Sequence, residues 1–213
     1  MFALWHTAAG STRIPELSLV GVPAVALAGV RVRMPLSLLT VRGLGPAVLR
    51  APSSHRVYRR LLAQGLGSVE VKMAPEPLIE TLRLSARRPE NAKTVASLMH
   101  AIDRFRRPRA ESTLTHAELA AIRVPALFIL GSNDPYLSPR GARASISRVP
   151  IATVHEMPAG HGPWLVNPSR VAELITGHTQ QHVSDSTPEL QSRDRHASVA
   201  TSPHQQHGRD TFG

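Results

Sequence analysis

Two apolar segments in the second half of the chain each end in a turn that carries one polar residue. The first is Val124-Pro-Ala-Leu-Phe-Ile-Leu-Gly-Ser-Asn-Asp134-Pro135, and the second is Glu156-Met-Pro-Ala-Gly-His161-Gly-Pro-Trp164. Each segment is interpreted as a buried parallel strand that leads into this turn. Because ligands bind beyond the carboxyl ends of such strands, Asp134 and His161 are the candidate site residues.

Each candidate also has a purely structural interpretation. Asn-Asp-Pro favours a turn in its own right, so Asp134 is consistent with a turn residue. A single histidine between glycines is often structural as well. Taken together, an acid and a histidine after successive strands favour an imidazole general base that a carboxylate holds in one tautomer.

Three apolar runs predict buried strands, at Leu17–Val22, Ala126–Leu130 and Ala152–Met157. Between the first two, residues 34–105 show helical periodicity with prolines between the pieces. A strand, a long helical insert and then strand–helix–strand–helix is a doubly wound α/β layout, with the insert as a cap over the sheet. The predicted apolar faces of the insert comprise Val57, Leu61 and Leu62; Leu78, Leu82 and Ala86; and Val95, Leu98, Met99, Ile102 and Phe105.

Helix start signals surround the later two strands. Thr115-His-Ala-Glu118 is a capping box. Ser138 before a proline predicts a helix to about Ser147, and Asn167 before a proline predicts one that Gly177 closes.

The composition allows a packed core but limits the chemistry. Hydrophobic residues make up 42% of the 213 residues, and there is no cysteine. Disulfides, thiolate nucleophiles and cysteine metal sites are therefore excluded. No metal site or cofactor is predicted, because the spacing of His182, His196, His204 and His207 matches no site geometry.

The net charge of +10 is carried almost wholly by arginine, with one cluster at Arg104, Arg106, Arg107 and Arg109. A basic chain raises the question of a nucleic-acid partner. Phe105 is the only aromatic residue within this cluster, so a solvated face is favoured over a phosphate-binding one. A non-catalytic basic interaction protein that docks through these arginines is the alternative function.

The acid and histidine segments resemble the C-terminal half of the α/β-hydrolase fold family. The resemblance rests on Phe-Ile-Leu-Gly-Ser-Asn-Asp-Pro and on Gly-His-Gly-Pro-Trp-Leu-Val-Asn-Pro-Ser-Arg-Val-Ala-Glu-Leu-Ile, and it covers residues 17–178. It implies a sixth strand, a helical cap, a seventh strand with the acid, an eighth strand with the histidine and a final helix. It also implies that Asp134 and His161 are the last two members of a catalytic triad, whose residues follow the order nucleophile, acid, histidine along the chain.

The first member of such a triad is missing from the sequence. No G-x-S-x-G occurs upstream of Asp134, and residues 1–8 resemble the helix that directly follows the nucleophile elbow. The resemblance implies that strands one to five and both oxyanion-hole amides are absent too, so we expect a truncated or inactive form whose status as an enzyme is open. No other serine lies in a strand–glycine–helix elbow; the candidates by position are Ser11, Ser18, Ser37, Ser53 and Ser54.

For the full-length parent, the resemblance implies hydrolysis of a small organic substrate, of ester or epoxide type, bound between sheet and cap. A serine at the elbow would mean acyl transfer, and an aspartate would mean a covalent alkyl intermediate. Complementation by a separate chain that carries the elbow is a third possibility.

Because the family's sixth strand pairs with its fifth, Leu17–Val22 is expected to present an unpaired apolar edge that promotes self-association or aggregation.

The sequence divides into four parts. They are a post-elbow helix and sixth-type strand at 1–33, a helical cap at 34–114, a C-terminal α/β portion with the acid and the histidine at 115–178, and a disordered tail at 179–213. No apolar run reaches 18 residues, so no membrane association is predicted. The first residues lack a basic signal-peptide region, and a cytoplasmic location is expected.

Overall fold

A computed structural model describes residues 2–11, 13–23, 26–32, 34–105 and 108–197, with the backbone alone at 183–197. Three strands form one parallel sheet in the order β1-β2-β3. The strands are β1 (Leu17–Val20), β2 (Ala126–Gly131) and β3 (Ala152–Met157). The three strands are therefore confirmed, with β1 two residues shorter and β2 one residue longer than expected. The predicted burial holds throughout β2 alone, since only Leu17 of β1 and Met157 of β3 are buried.

The middle strand is the centre of the core. All six residues of β2 are buried, which explains why its sequence shows no alternation. Phe128 and Leu130 lie in one apolar cluster with Leu4 and Ile146. The alternate residues of β2 point to a second cluster, which includes Val171 of the last helix. Helices therefore cover both faces of this strand, as the doubly wound layout requires.

Ten α-helices surround the sheet in the described part of the chain. They are α1 (Phe2–Ala8), α2 (Leu44–Arg50), α3 (His55–Leu66), α4 (Ser68–Met73), α5 (Glu76–Arg87), α6 (Pro89–Ile102), α7 (His116–Ala120), α8 (Pro139–Ile146), α9 (Pro163–Val166) and α10 (Pro168–Ala197). Short 3₁₀ helices lie at Leu36–Thr40 and Ala110–Ser112. None of the described helices is long and apolar enough to cross a lipid bilayer.

The predicted start signals are confirmed by hydrogen bonds. The Ser138 hydroxyl accepts from the Gly141 N–H at the start of α8, and both bonds of the Thr115–Glu118 capping box are present at α7. The last helix begins at Pro168 as expected, but it does not end at Gly177, because its backbone continues to residue 197. Of the predicted disordered tail, 179–197 continue this helix and 198–213 lie outside the described residues.

The helices between β1 and β2 pack on one another differently from the sequence prediction. Ile79 of α5 is fully buried in a small cluster with Val71 and Ala74 of the α4 region, and Ala92 and Ala96 are the buried residues of α6. Several members of the predicted apolar faces are instead partly exposed, with relative exposures of 36% to 52%: Leu82, Leu78, Val95, Leu98, Phe105 and Val57. Ala92 and Ala96 are buried because their small side chains allow neighbouring helices to approach closely. A prediction from the spacing of large apolar residues does not include this effect.

The outer edge of β1 carries the expected unpaired backbone groups. Leu17 N–H donates to Pro125 O, and Gly21 N–H donates to Ile129 O, both on the side of β2. Because bonding alternates along a strand, the N–H groups of Ser18 and Val20 point to the other side. Within the described residues β1 pairs with β2 alone, so this side has no strand partner.

Candidate active site

Asp134 lies in a tight turn directly after β2, where its N–H donates to Gly131 O. Its side chain is completely buried. One carboxylate oxygen, Oδ1, accepts from the Tyr136 N–H at 2.8 Å. The other, Oδ2, lies 3.4 Å from the Val22 N of the segment after β1 and 2.8 Å from the His161 Nδ1. Three segments at the carboxyl edge of the sheet therefore converge on one carboxylate.

His161 lies in the loop after β3, and the structure brings it to Asp134 as the sequence predicts. An ionised carboxylate only accepts hydrogen bonds, so the 2.8 Å contact assigns the proton to Nδ1 of the imidazole. The Nε2 atom is then an acceptor, and it has no hydrogen-bond partner among the described residues. The side chain as a whole is 25% exposed.

Tyr136 is a part of the site that sequence reasoning did not identify. Its ring meets the imidazole of His161 edge to face, with centroids 4.8 Å apart and planes at 78°. Burial raises the pKa of Tyr136 to about 12, and the negative charge of Asp134 adds to the effect. A signal was available, because Tyr136 is only two residues beyond the acid in the same turn.

Glycines allow the two site loops to approach each other. A Cβ atom on Gly131, the last residue of β2, would collide with the carbonyl oxygens of Ala159 and Gly160. This contact brings the turn of Asp134 against the loop of His161. The sequence indicates sharp turns around His161 from its flanking glycines, and the structure shows that close backbone approach is a further reason for glycine here.

Glu70 of α4 is the second residue that sequence reasoning missed. Its carboxylate is buried, with 1% exposure, and Oε1 accepts from the Gly160 N–H. The neighbouring His161 N–H donates to Leu66 O at 2.7 Å, at the end of α3. No local pattern indicates these contacts, because about 90 residues separate the partners in sequence.

The structure does not bring any candidate serine to the histidine within the described residues. Ser37 is buried with its hydroxyl on the Met34 sulfur, and Ser54 caps α3. Ser18 is exposed on β1. His6 of α1 is exposed and borders an open cleft of about 730 Å³, which neither Asp134 nor His161 lines.

The structure describes only two of the four residues of the arginine cluster. Arg104 is exposed, whereas Arg106 and Arg107 lie outside the described residues. Arg109 turns inward, where its Nε donates to His100 O at 2.9 Å. This bond ties the end of α6 to the segment that leads to α7, which is a structural role for that guanidinium.

No group of three or more histidine, aspartate and glutamate side chains is arranged to hold a metal ion among the residues described. The contacts of the site join one carboxylate, one imidazole and the tyrosine beside them. Such a pair can remove a proton from a hydroxyl and return it to a leaving group, while the carboxylate stabilises the imidazolium in between.

Comparison with known proteins identifies the fold through structure alone, since no family model and no curated protein sequence matches the chain. A meta-cleavage product hydrolase from Pseudomonas fluorescens IP01 matches with a TM-score of 0.62 at 15% identity, over 84% of this chain and 60% of that one. The 2-hydroxy-6-oxo-6-phenylhexa-2,4-dienoate hydrolase from Rhodococcus sp. strain RHA1 matches with a TM-score of 0.61 at 14% identity, over 84% and 59%. A hydrolase from Pseudomonas aeruginosa PA01 matches with a TM-score of 0.58 at 21% identity, over 83% and 59%.

The chain thus spans about 60% of the length of these solved structures. In this chain the matched region comprises the parallel sheet β1-β2-β3, the helical insert after β1 and the helices that follow the later strands. At these sequence identities they establish architecture. The chain has an α/β-hydrolase fold, of which it contains three parallel strands with their flanking helices and the helical insert.

Proposed function

We propose that Asp134 and His161 are the acid and the base of a nucleophile–histidine–acid triad in a hydrolase. The observation that carries the proposal is the 2.8 Å contact between His161 Nδ1 and Asp134 Oδ2 at the carboxyl ends of two adjacent parallel strands. The orientation supports it, because Nε2 is left free to accept a proton. The burial of the carboxylate supports it as well, since a buried charge acts most strongly on its neighbour.

In the proposed reaction, a nucleophile with a hydroxyl group attacks the substrate. His161 Nε2 accepts the proton of that hydroxyl during the attack. The imidazolium that forms is stabilised by Asp134, which stays ionised. The proton then passes from Nε2 to the leaving group. In the second half of the cycle the same nitrogen activates water, which releases the product and restores the nucleophile. An aspartate nucleophile would need no proton removal, and His161 would then act in the water step alone.

The nucleophile of this proposal belongs to the full-length parent, because the 213 residues contain no G-x-S-x-G before Asp134. The substrate class we propose is a small organic molecule of ester or epoxide type, bound between the sheet and the helical insert. Solved structures with this fold include a putative aryl esterase from Burkholderia cenocepacia and a putative lipase from Acinetobacter baumannii. These names favour an ester over an epoxide as the first substrate to test.

The experiment uses the polypeptide isolated from the native source, with its mass and N-terminal sequence determined first. Hydrolysis of short p-nitrophenyl esters and of aryl epoxides is measured for the parent and for His161→Asn. We expect the variant to lose at least about 10³-fold in kcat/KM on the substrate that is turned over. The matched control is His116→Asn on exposed α7, which should hydrolyse as the parent does. A His161→Asn protein with unchanged kcat/KM would refute the proposal.

A further inference from the structure

The corner between α3 and α4 is hydrogen-bonded to the loop that carries His161. The His161 N–H donates to Leu66 O at 2.7 Å, and the Gly160 N–H donates to Glu70 Oε1. The helical insert therefore supplies acceptors to two consecutive amides of the histidine loop. Two successive bonds from one rigid helical corner fix both the position and the direction of a short backbone segment.

Glu70 is an unusual residue for this place because its carboxylate is buried at 1% exposure. None of the described residues forms an ion pair with it. Burying a carboxylate without a cation is unfavourable, and its hydrogen bonds must offset that cost. The bond that this carboxylate makes in the structure goes to the Gly160 amide, which directly precedes the histidine. A residue that served packing alone would be apolar.

The backbone around Glu70 leaves room for the carboxylate. A Cβ atom on Gly67 would collide with Oε2, and a Cβ atom on Gly160 would stand 2.8 Å from the same oxygen. Gly67 has a φ of +116°, which other residues rarely adopt. Two glycines, one on the insert and one on the loop, thus form the space in which the carboxylate reaches the loop.

We infer that Glu70 is a positioning residue for His161, which acts through the Gly160 amide to hold the imidazole against Asp134. The inference rests on the proposed function for its catalytic consequence, but the contact can be tested without turnover. Loss of the acceptor frees the Gly160 amide and lets the loop move, so that the Nδ1–Oδ2 bond is made only part of the time. The glutamate thereby links the helical insert to the site.

The test measures two signals by NMR on the full chain. They are the hydrogen-exchange protection of the Gly160 amide and the His161 Nδ1–H proton, which is visible only while a hydrogen bond slows its exchange. Glu70→Gln keeps an oxygen acceptor of the same shape, and we expect it to retain both signals. Glu70→Leu removes the acceptor, and we expect at least about a tenfold loss of Gly160 protection together with loss of the ring proton. The control is Glu90→Leu, an exposed acid of α6 that should match the parent.

Glu70→Asp covers the case in which Glu70→Leu does not fold. It keeps the charge but withdraws the carboxylate by one methylene, so we expect the same losses in a folded protein. A ring proton that persists in Glu70→Asp and in folded Glu70→Leu would overturn the positioning role. Asp134→Asn separates the two hypotheses: if it leaves the ring proton unchanged, the Asp134–His161 pair and the proposed function fail. If it removes the proton while the Glu70 variants do not, the inference about Glu70 alone fails.

Discussion

Gly21, the residue directly after β1, lies against the backbone of His161. A Cβ atom on Gly21 would stand 2.6 Å from the His161 carbonyl oxygen and 3.4 Å from its ring. Gly21 also has a φ of +80°, and its N–H completes the pairing of β1 with β2. The residue that follows β1 therefore sets the distance to the histidine loop through its conformation and its lack of a side chain.

Substitution Gly21→Ala is expected to destabilise the protein by about 2 to 4 kcal/mol. About 1 kcal/mol arises from placing a Cβ at positive φ, and the remainder from the collision with the His161 carbonyl. The measurement is the free energy of unfolding in urea.

The matched control is Gly10→Ala, because Gly10 has a similar φ of +86° but a Cβ atom there would meet no other atom within 4 Å. The loss of unfolding free energy in Gly10→Ala should therefore come only from placing a Cβ atom at positive φ. Equal losses in the two variants would mean that the contact between Gly21 and the histidine loop is not tight in solution.

The phenol of Tyr136 gives the stability a pH dependence above neutrality. Its pKa is about 12 in the folded protein, against an ordinary value of 10.0. Between these values the unfolded chain has lost the proton and the folded chain retains it, so stability falls as the pH rises from about 10 to about 12. The full effect is about 3 kcal/mol, and urea unfolding at successive pH values measures it.

Tyr136→Phe should remove most of that decline. The comparison variant is Tyr58→Phe, because Tyr58 is the only other tyrosine and burial raises its pKa as well, opposed by Arg83. A decline of stability that is unchanged in Tyr136→Phe would show that the phenol next to the histidine is not buried in the folded protein.

The outer edge of β1 predicts concentration-dependent self-association. Ser18 is exposed and its N–H points away from β2, so Ser18→Pro removes an edge donor while the β1–β2 bonds of its neighbours remain. We expect sedimentation velocity to show association of the parent at micromolar concentration and a shift toward monomer in the variant. Ser18→Ala keeps the N–H and should associate as the parent does. A monomeric parent, or equal association of the proline variant, would contradict this edge pairing.

The parts of the fold that the sequence predicted are those that local signals determine. The apolar run of β2 has no alternation because helices cover both of its faces, and Ser138 and Thr115 cap helices through bonds that span three residues. The pairing of Asp134 with His161 followed from the same reasoning, since parallel strands end at a common edge.

The parts that the sequence did not predict depend on contacts between distant segments. Leu78 and Leu82 have helical periodicity but remain partly exposed, because Ile79 points into the cluster with α3 and α4. Glu70 was overlooked for a related reason: an acid on a short helix looks like a surface residue until the Gly160 loop is placed beside it. Tyr136 likewise becomes part of the site only when its ring meets His161.

The central claim is that Asp134 and His161 work as one catalytic unit, and a double-mutant cycle tests it most directly. The values of kcat/KM are measured for the native polypeptide, Asp134→Asn, His161→Asn and the double variant on the ester or epoxide that is turned over. Because the acid is proposed to act through the histidine, we predict a loss of at least about 10²-fold for Asp134→Asn and at least about 10³-fold for His161→Asn. The double variant should be no slower than His161→Asn alone. Losses that multiply in the double variant would contradict the account, because they would show that the two side chains act independently.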